Sequence, residues 1–590
     1  SHTNVARQEI ESRLGSTAVG RQLLAYPHFI GTIHGFVNDF LALPWLRSKG
    51  FTINAIDDDL CLNRRWYSLS PKIREGLEQN KHKQSVLTIK TPDFHLGEIR
   101  WGKGILRLET PAYKAMQEVC EKSIRDGFLC HDEIFVWAEN LIGLYPESVQ
   151  AIRKRFPYLL IDEAQDNSQE QAELLHRIFT EGRGAVIRQR FGDSNQAIYH
   201  SLSAKEVTTE TFKFPANQVI DLPSSNRFSQ PIAMLADPLG LHRYVGGLIG
   251  QGPKKSELQT DPMDCKHTIF LFNDGNADRV LDAYGELLLK TFPKDLTHSE
   301  FNAVAVGQVH RQRDDESGEK FPRHVKDYWG AYDPKITKPS TFVHYVLAGQ
   351  EKAAADNLTH PAVELIADSI SRLVKTKSRL VRSQRHRQIL ERLKEFDIQR
   401  KHSSTLQSYE ELVFRFAVNR ETLTRAIWED GCRKTVTEIA EAIAGEKLSE
   451  QDIEEFLRWP AGLDETGNHQ ATGLSRNNMY LYPMDNPKVH IRLGSIHSVK
   501  GQTHTATLVL ETFWRDKSRH NLELLLPWLC GDQSGCDLKT GVYQRARLKL
   551  HYVAMTRPTH LLCLAMKQSC VSDEHREKLK KRGWDFVEVI

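Results

Sequence analysis

Asp162 and Glu163 are adjacent carboxylates that close a short apolar run, Phe156-Pro-Tyr-Leu-Leu-Ile-Asp-Glu-Ala-Gln-Asp-Asn167. Tyr158 to Ile161 reads as a strand buried on both faces of a parallel sheet. In open α/β sheets ligands lie beyond the carboxyl ends of strands, so acids placed there point into a crevice. Such a pair suits Mg²⁺-nucleotide chemistry. Asp162 can hold the metal through its water shell, while Glu163 orients or deprotonates an attacking water. An acidic turn after an ordinary core strand is the plainer alternative for these two residues alone.

Complementary residue types recur at other strand ends. Gly184 to Tyr199 reads as a strand ending in Gly192 and Asp193, followed by the amide Gln196. A neutral amide there can hydrogen-bond both a γ-phosphate and the attacking water. Leu222 to Ile232 places Arg227 ahead of a helix. Ser1 to Leu14 reads as a strand end, a polar turn and a helix capped by Thr3 or Asn4. Amides at such a helix start hold a phosphate or simply serve the cap. In Phe29 to Phe36, Thr32, His34 and Phe36 combine a hydroxyl, an imidazole and a ring, groups that grip a single strand by phosphate contact and stacking. A lone histidine in such a place is more often a satisfied core residue.

The elements that must position these groups fall into two α/β stretches separated by irregular ones. The 590 residues, 40% hydrophobic and 26% charged, exceed a single core and predict about three or four structural units. Periodicity weakens from 44 to 143, returns with the first α/β stretch, and resumes in a second one from Thr268. Residues 310 to 488 are polar and helix-rich. Within them Arg372 to Lys401 carries eleven Lys/Arg against three acids, a pattern that fits a solvated helix face or contact with duplex phosphates. The second α/β stretch resumes at Val489, with His497, Lys500 and Gly501 in the turn after a strand, and with a helix ending at Arg557.

No apolar run reaches the roughly 18 residues of a membrane span and no charged-then-apolar leader occurs, which predicts a cytoplasmic protein without membrane contact. A net charge of +3 permits a nucleic-acid partner only if the charge is clustered. The nine cysteines form no Cys-x-x-Cys pair, so free and mostly buried thiols are expected rather than a metal centre.

Taken in order, these motifs resemble the superfamily-one DNA helicases of the UvrD, Rep and PcrA type, over most of both α/β stretches. Ser1 to Arg13 is similar to motif Ia of that family, Gly31 to Phe36 to the DNA-contact motif that follows, and Asp162 to Asp166 to motif II. Gly192 to Tyr199 is similar to motif III, Asn226 to Ser229 to motif IV, Ser495 to Thr503 to motif V, and Tyr552 to Arg557 to motif VI. The resemblance implies an α/β fold with two tandem RecA-like parallel-sheet domains, each carrying a mainly helical insertion. The first would be 1–43 with 144–265 around insertion 44–143. The second would be 266–309 with 489–590 around insertion 310–488. ATP and Mg²⁺ are the implied cofactors: Asp162 on the metal through water, Glu163 as base, Gln196 sensing the γ-phosphate, Arg227 and Arg557 as arginine fingers, and Gly501 near the nucleotide. Thr3, Asn4, Thr32, His34, Phe36, Tyr199, His497 and Lys500 would hold single-stranded DNA, and translocation would run 3′ to 5′.

The chain also departs from the family pattern. Ser201 and Leu202 replace an aromatic-arginine pair after Tyr199, and Gly501-Gln-Thr503 replaces Gly-Leu-Glu, whose acid binds ribose. The wording Ser-Val-Lys-Gly-Gln-Thr-His is similar to the subgroup associated with OLD-family nucleases in Gabija-type antiphage systems, which implies such a nuclease as partner. No Gly-Lys-Ser/Thr phosphate loop occurs in the 590 residues, so an amino-terminal strand, P-loop and helix are expected ahead of Ser1. The competing expectation is a catalytically degenerate DNA-sensing or regulatory subunit of a nuclease complex.

Overall fold

The computed structural model describes residues 10, 14–15, 17–180, 186–198, 219–254, 256–298, 300–310, 321–333, 339, 341–355, 359–374, 385–400, 404–445, 447–460, 478–486, 488–513, 521–537 and 540–590. The chain divides into two compact units, Ser1–Phe191 with Pro339–Ala471, and Gly192–Lys338 with Thr472–Ile590.

In the first unit, residues 44–143 do not stand apart from their neighbours. Leu46, Trp66, Leu77, Tyr113, Met116 and Ile124 share one core with Ile33, Phe36, Val37, Ile161 and Leu174. The helices Asp58–Ser68, Pro71–Gln79, Pro111–Arg125 and Glu133–Leu144 build most of that stretch. It is tied by a fully buried ion pair. Arg65 donates from Nη1 and Nη2 to the Glu133 carboxylate at 2.5 and 2.9 Å. The same carboxylate accepts from the Ile89 and Cys130 amides at 3.0 and 2.8 Å. Two buried charges are tolerated only with this degree of mutual satisfaction.

The strand ahead of the acid pair, β1 (Tyr158–Ile161), runs parallel to β2 (Ile187–Arg190), with Tyr158 opposite Ile187 and Ile161 opposite Arg190. The expectation that β1 is buried on both faces is corrected here. Leu159 and Ile161 face the core, whereas Tyr158 is 67% exposed, Leu160 62% and Ile187 55%. Among the described residues the sheet has only these two strands, and nothing packs over the outer face.

The described residues between Pro339 and Trp459 are mainly helical, in line with the helix-rich reading of 310–488, and have their own core of Phe342, Tyr345, Ile366, Ile389, Tyr409, Trp428 and Val436. In its helix Arg385–Gln399 the exposed residues are Arg387, Glu391, Lys394, Glu395, Ile398 and Gln399, so acids interleave with the bases on the solvent side. Arg387 pairs with Glu391 at 3.0 Å, and Arg385 is drawn inward to Asp368 at 2.5 Å. This matches the solvated-face reading of the described part of that helix.

The second unit is built on a seven-stranded sheet. Its strands are β3 (Thr268–Phe272), β4 (Ala303–Gly307), β5 (Met479–Tyr482), β6 (Val489–Ser495), β7 (His504–Leu510), β8 (Pro558–Lys567) and β9 (Asp585–Glu588). The spatial order is β5-β6-β4-β7-β8-β3-β9, parallel except for the edge pair β5-β6. Alternation along each strand supplies both faces. Ile269, Leu271, Val304, Val306, Leu562 and Leu564 join a core with helices Gln230–Ala236 and Val542–Met555. Phe270, Phe272, Ala303, Ala305, Leu561 and Cys563 join another with helix Val280–Thr291. The last residues do not trail off but add helix Asp573–Lys581 and edge strand β9. Residues 192–265, assigned by resemblance to the first domain, pack in this second unit: Phe228, Ile232, Leu235, Leu239 and Leu248 bury their side chains against its sheet.

Seven of the nine cysteines are buried, and Cys536 and Cys570 are half-buried. No helix among the described residues is long and apolar enough to cross a membrane.

Two predictions follow from these interiors. Glu133→Gln strands the Arg65 charge and should cost about 3–5 kcal/mol in urea unfolding, while an Arg65→Met, Glu133→Leu double variant loses less. Equal losses in both would show that the charge pairing is not what matters. Burial also holds the His267 and His551 imidazoles neutral, each pushed down to about 4. Because the unfolded chain binds these protons more readily, their contribution is complete above the ordinary histidine value near 6.5 and is lost as pH falls toward 4. The unfolding midpoint should therefore drop over that window, with a shallower slope in His551→Gln; a parallel slope would contradict the assignment.

Candidate functional site

The acid pair stands where the pairing of β1 and β2 runs out. Phe191 donates its amide to the Ile161 carbonyl at 2.7 Å, and the Ala164 amide returns to the Phe191 carbonyl at 3.0 Å. Asp162 and Glu163 occupy the tight turn between these two bonds. Glu163 takes φ +52° and ψ +42°, the left-handed region that a residue with a Cβ rarely adopts. The turn is held by the Asp166 amide on the Glu163 carbonyl at 3.0 Å. Gln165 Nε2 donates to Glu163 Oε2 at 2.5 Å. Both acids remain half-buried while Gln165, Asp166 and Asn167 are buried behind them. A capping box of Ser168 and Gln171 then starts helix Gln169–Phe179. Backbone strain of this kind is kept where a side chain must be aimed. The pair has the oxygen donors and partial access that a hydrated divalent cation requires.

Thr32 caps helix Ile33–Val37, its hydroxyl accepting from the Gly35 amide at 3.1 Å. The His34 ring meets Phe135 edge-on with centroids 5.0 Å apart. Phe36 is buried among Phe29, Phe40, Phe156 and Phe179, so its ring faces the core and presents no face to a base. Thr3, Asn4 and Tyr199 lie outside the described residues.

The second unit gathers six of the candidates. Arg557 is fully buried where helix Val542–Met555 gives way to β8. Its Nε donates to the Val553 carbonyl at 3.0 Å and its Nη2 to Gln196 Oε1 at 3.1 Å. Gln196 is fixed from two further directions. Its Nε2 donates to Asp193 Oδ2 at 2.8 Å, and its carbonyl accepts from Lys500 Nζ at 2.6 Å. Arg227 Nε donates to Thr503 Oγ1 at 3.0 Å. Gly501 has φ +81° with open space around its missing Cβ, so conformation rather than crowding calls for glycine. His497 is exposed and hydrogen-bonds to the Ile198 backbone.

Residues that were not singled out from the sequence do much of the positioning. Asn195 is completely buried, receiving the His242 amide on Oδ1 at 2.8 Å and donating to the His242 carbonyl at 3.0 Å. It also hydrogen-bonds Tyr552 on the facing helix. His504 sits among the cations, and burial, then Arg492, Arg557 and Arg227, push it down to about 3. Only the amide's place beside Gln196 could have flagged Asn195, whereas Arg492 and His504 carried no spacing signal.

Residues 1–214 match the family model of the UvrD/REP helicase N-terminal domain. DNA helicase II of Escherichia coli (strain K12) is 26% identical over 263 residues, covering 40% of this chain and 32% of that protein. DNA helicase II of Haemophilus influenzae is 25% identical over 267 residues, covering 42% of this chain and 35% of that protein. The chain thus spans about a third of the length of these curated relatives. Over its amino-terminal part the chain is similar to UvrD-type helicases, and the acid pair, Gln196 and the strained turn at Glu163 all lie inside the matched residues.

Proposed function

We infer that the protein is an ATP-dependent DNA helicase or translocase, in which hydrolysis of a nucleoside triphosphate drives movement along single-stranded DNA. The observation that carries this reading is the bond between Gln196 Oε1 and the buried Arg557 guanidinium, with Lys500 on the Gln196 carbonyl. An amide so placed couples the state of a γ-phosphate to a transition-state cation and to a turn that meets the DNA. Asp162 would hold Mg²⁺ through water, and Glu163 would activate the attacking water. Arg227 and Arg557 neutralise charge that develops on the phosphoryl oxygens. Two RecA-like cores with helical insertions, the 3′-to-5′ direction and an OLD-family nuclease partner in antiphage defence belong to the same proposal and rest on motif wording.

Glu163→Gln, placed in a polypeptide that carries a phosphate loop, tests the motor directly. DNA-stimulated ATP hydrolysis should fall by about 100-fold or more, the size expected for loss of a general base, with single-stranded DNA binding retained. Undiminished turnover, or a biological function indifferent to the change, would favour the DNA-sensing subunit instead.

A further inference from the structure

The side-chain amide of Gln196 has two ends of similar shape and opposite chemistry: the oxygen accepts hydrogen bonds and the nitrogen donates two. On one side of it stands the Asp193 carboxylate, an acceptor, and Gln196 Nε2 donates to Asp193 Oδ2 at 2.8 Å. On the other stands the Arg557 guanidinium, a donor, whose Nη2 reaches Gln196 Oε1 at 3.1 Å. A half-turn of the amide would set oxygen against oxygen at Asp193 and N–H against N–H at Arg557. The two partners therefore permit one orientation only.

The carboxylate is itself set before it meets the amide. Asp193 Oδ1 accepts the Asn195 backbone N–H at 2.9 Å, and the Asp193 carbonyl accepts that of Gln196 at 2.9 Å, which closes the Ser194–Gln196 turn. Buried Asn195 pins the same turn to His242 through both ends of its own amide. The two carboxylate oxygens thus have separate tasks. Oδ1 shapes the turn, and Oδ2 orients the Gln196 side chain.

This arrangement leaves one group over. Gln196 is half-buried, and among the described residues the second N–H of its Nε2 has no acceptor. Its oxygen already accepts from a cation, and a bond of that kind polarises the amide, strengthening the N–H as a donor and weakening the oxygen as a further acceptor. A terminal phosphate oxygen calls for a donor, whereas holding an attacking water by its hydrogen calls for an acceptor.

We propose that Asp193 is a positioning residue that holds the Gln196 amide in this one orientation, so that Gln196 acts as a donor to a γ-phosphate oxygen and not as the acceptor that orients the attacking water. The assignment rests on the nucleotide reading above. It makes the amide a reader of the third phosphate, set by a carboxylate three residues away in its own turn.

Titration of the full-length natural polypeptide with ADP and with β,γ-methylene-ATP, beside DNA-stimulated ATP hydrolysis, tests this in the wild type, Asp193→Asn, Gln196→Ala and the double variant Asp193→Asn, Gln196→Glu. In Asp193→Asn the Asn195 N–H keeps the new amide's oxygen, so its nitrogen faces Gln196 and the Gln196 amide turns over. The triphosphate analogue should bind about tenfold more weakly, as for a lost charged hydrogen bond, with ADP affinity unchanged. Equal weakening of both nucleotides would make Asp193 structural and overturn the proposal. The double variant rebuilds the turn, because the new amide donates to the new carboxylate, whose other oxygen accepts from Arg557. Its thermal midpoint should return to the wild-type value while hydrolysis stays as low as in Gln196→Ala, since no N–H remains for the phosphate. Recovery of hydrolysis in the double variant would show Gln196 to be an acceptor and overturn the donor role. If Gln196→Ala impairs hydrolysis and Asp193→Asn matches the wild type throughout, the nucleotide reading stands and the Asp193 assignment falls. A wild type that neither binds the analogue nor hydrolyses ATP sinks both.

Discussion

Arg557 brings a permanent charge into the interior of the second unit with no exposed surface, and the structure around it is arranged to receive its N–H groups. The Val553 carbonyl and the Thr556 hydroxyl come from the end of its own helix, at 3.0 and 3.2 Å. A helix carboxyl terminus is where a cation is best tolerated. Gln196 supplies an acceptor from outside this helix, so the position of the amide and that of the guanidinium are set together. Pro558 then ends any helical continuation and opens β8, a ten-residue interior strand of the sheet. Removing Arg557 would take one anchor from the Asp193–Gln196 turn.

The first unit answers with opposite chemistry. Its acids are held in a strained turn, at φ +52° for Glu163, rather than in a regular element. That strain is offset by the buried Gln165-Asp166-Asn167 segment and by the capping box that starts the next helix. The first unit thus carries its two carboxylates on a firmly held turn, and within the second unit Arg557 donates to Gln196 and Arg227 to Thr503.

Much of this was legible in the residues. The apolar run Ile269–Phe272 has the composition of a strand buried on both faces, and it is one, because successive side chains point alternately into two helix-covered cores. The same reasoning failed at Tyr158–Ile161. A run of four apolar residues reports what a strand could bury, and the burial depends on elements its own sequence does not contain. Residues 192–265 were placed by resemblance with the first domain, yet the apolar face of helix Gln230–Ala236 is satisfied by the second sheet. Phe36 illustrates a different limit: an aromatic ring beside a histidine fits a stacking platform, and its three-dimensional neighbours make it core. Arg492, Gln502 and His504 form a contact network whose members are close in sequence but carry no periodic or spacing signature, so only the side-chain geometry reveals it.

The central claim is that chemistry at the acids and guanidiniums drives movement along a strand. The most direct measurement is the phosphate released from ATP per DNA-binding event, on the full-length natural polypeptide, as single-stranded oligonucleotides are lengthened. A translocating motor releases phosphate in proportion to the length it travels before dissociating. Release that is independent of length, or absent with every oligonucleotide, would contradict the account.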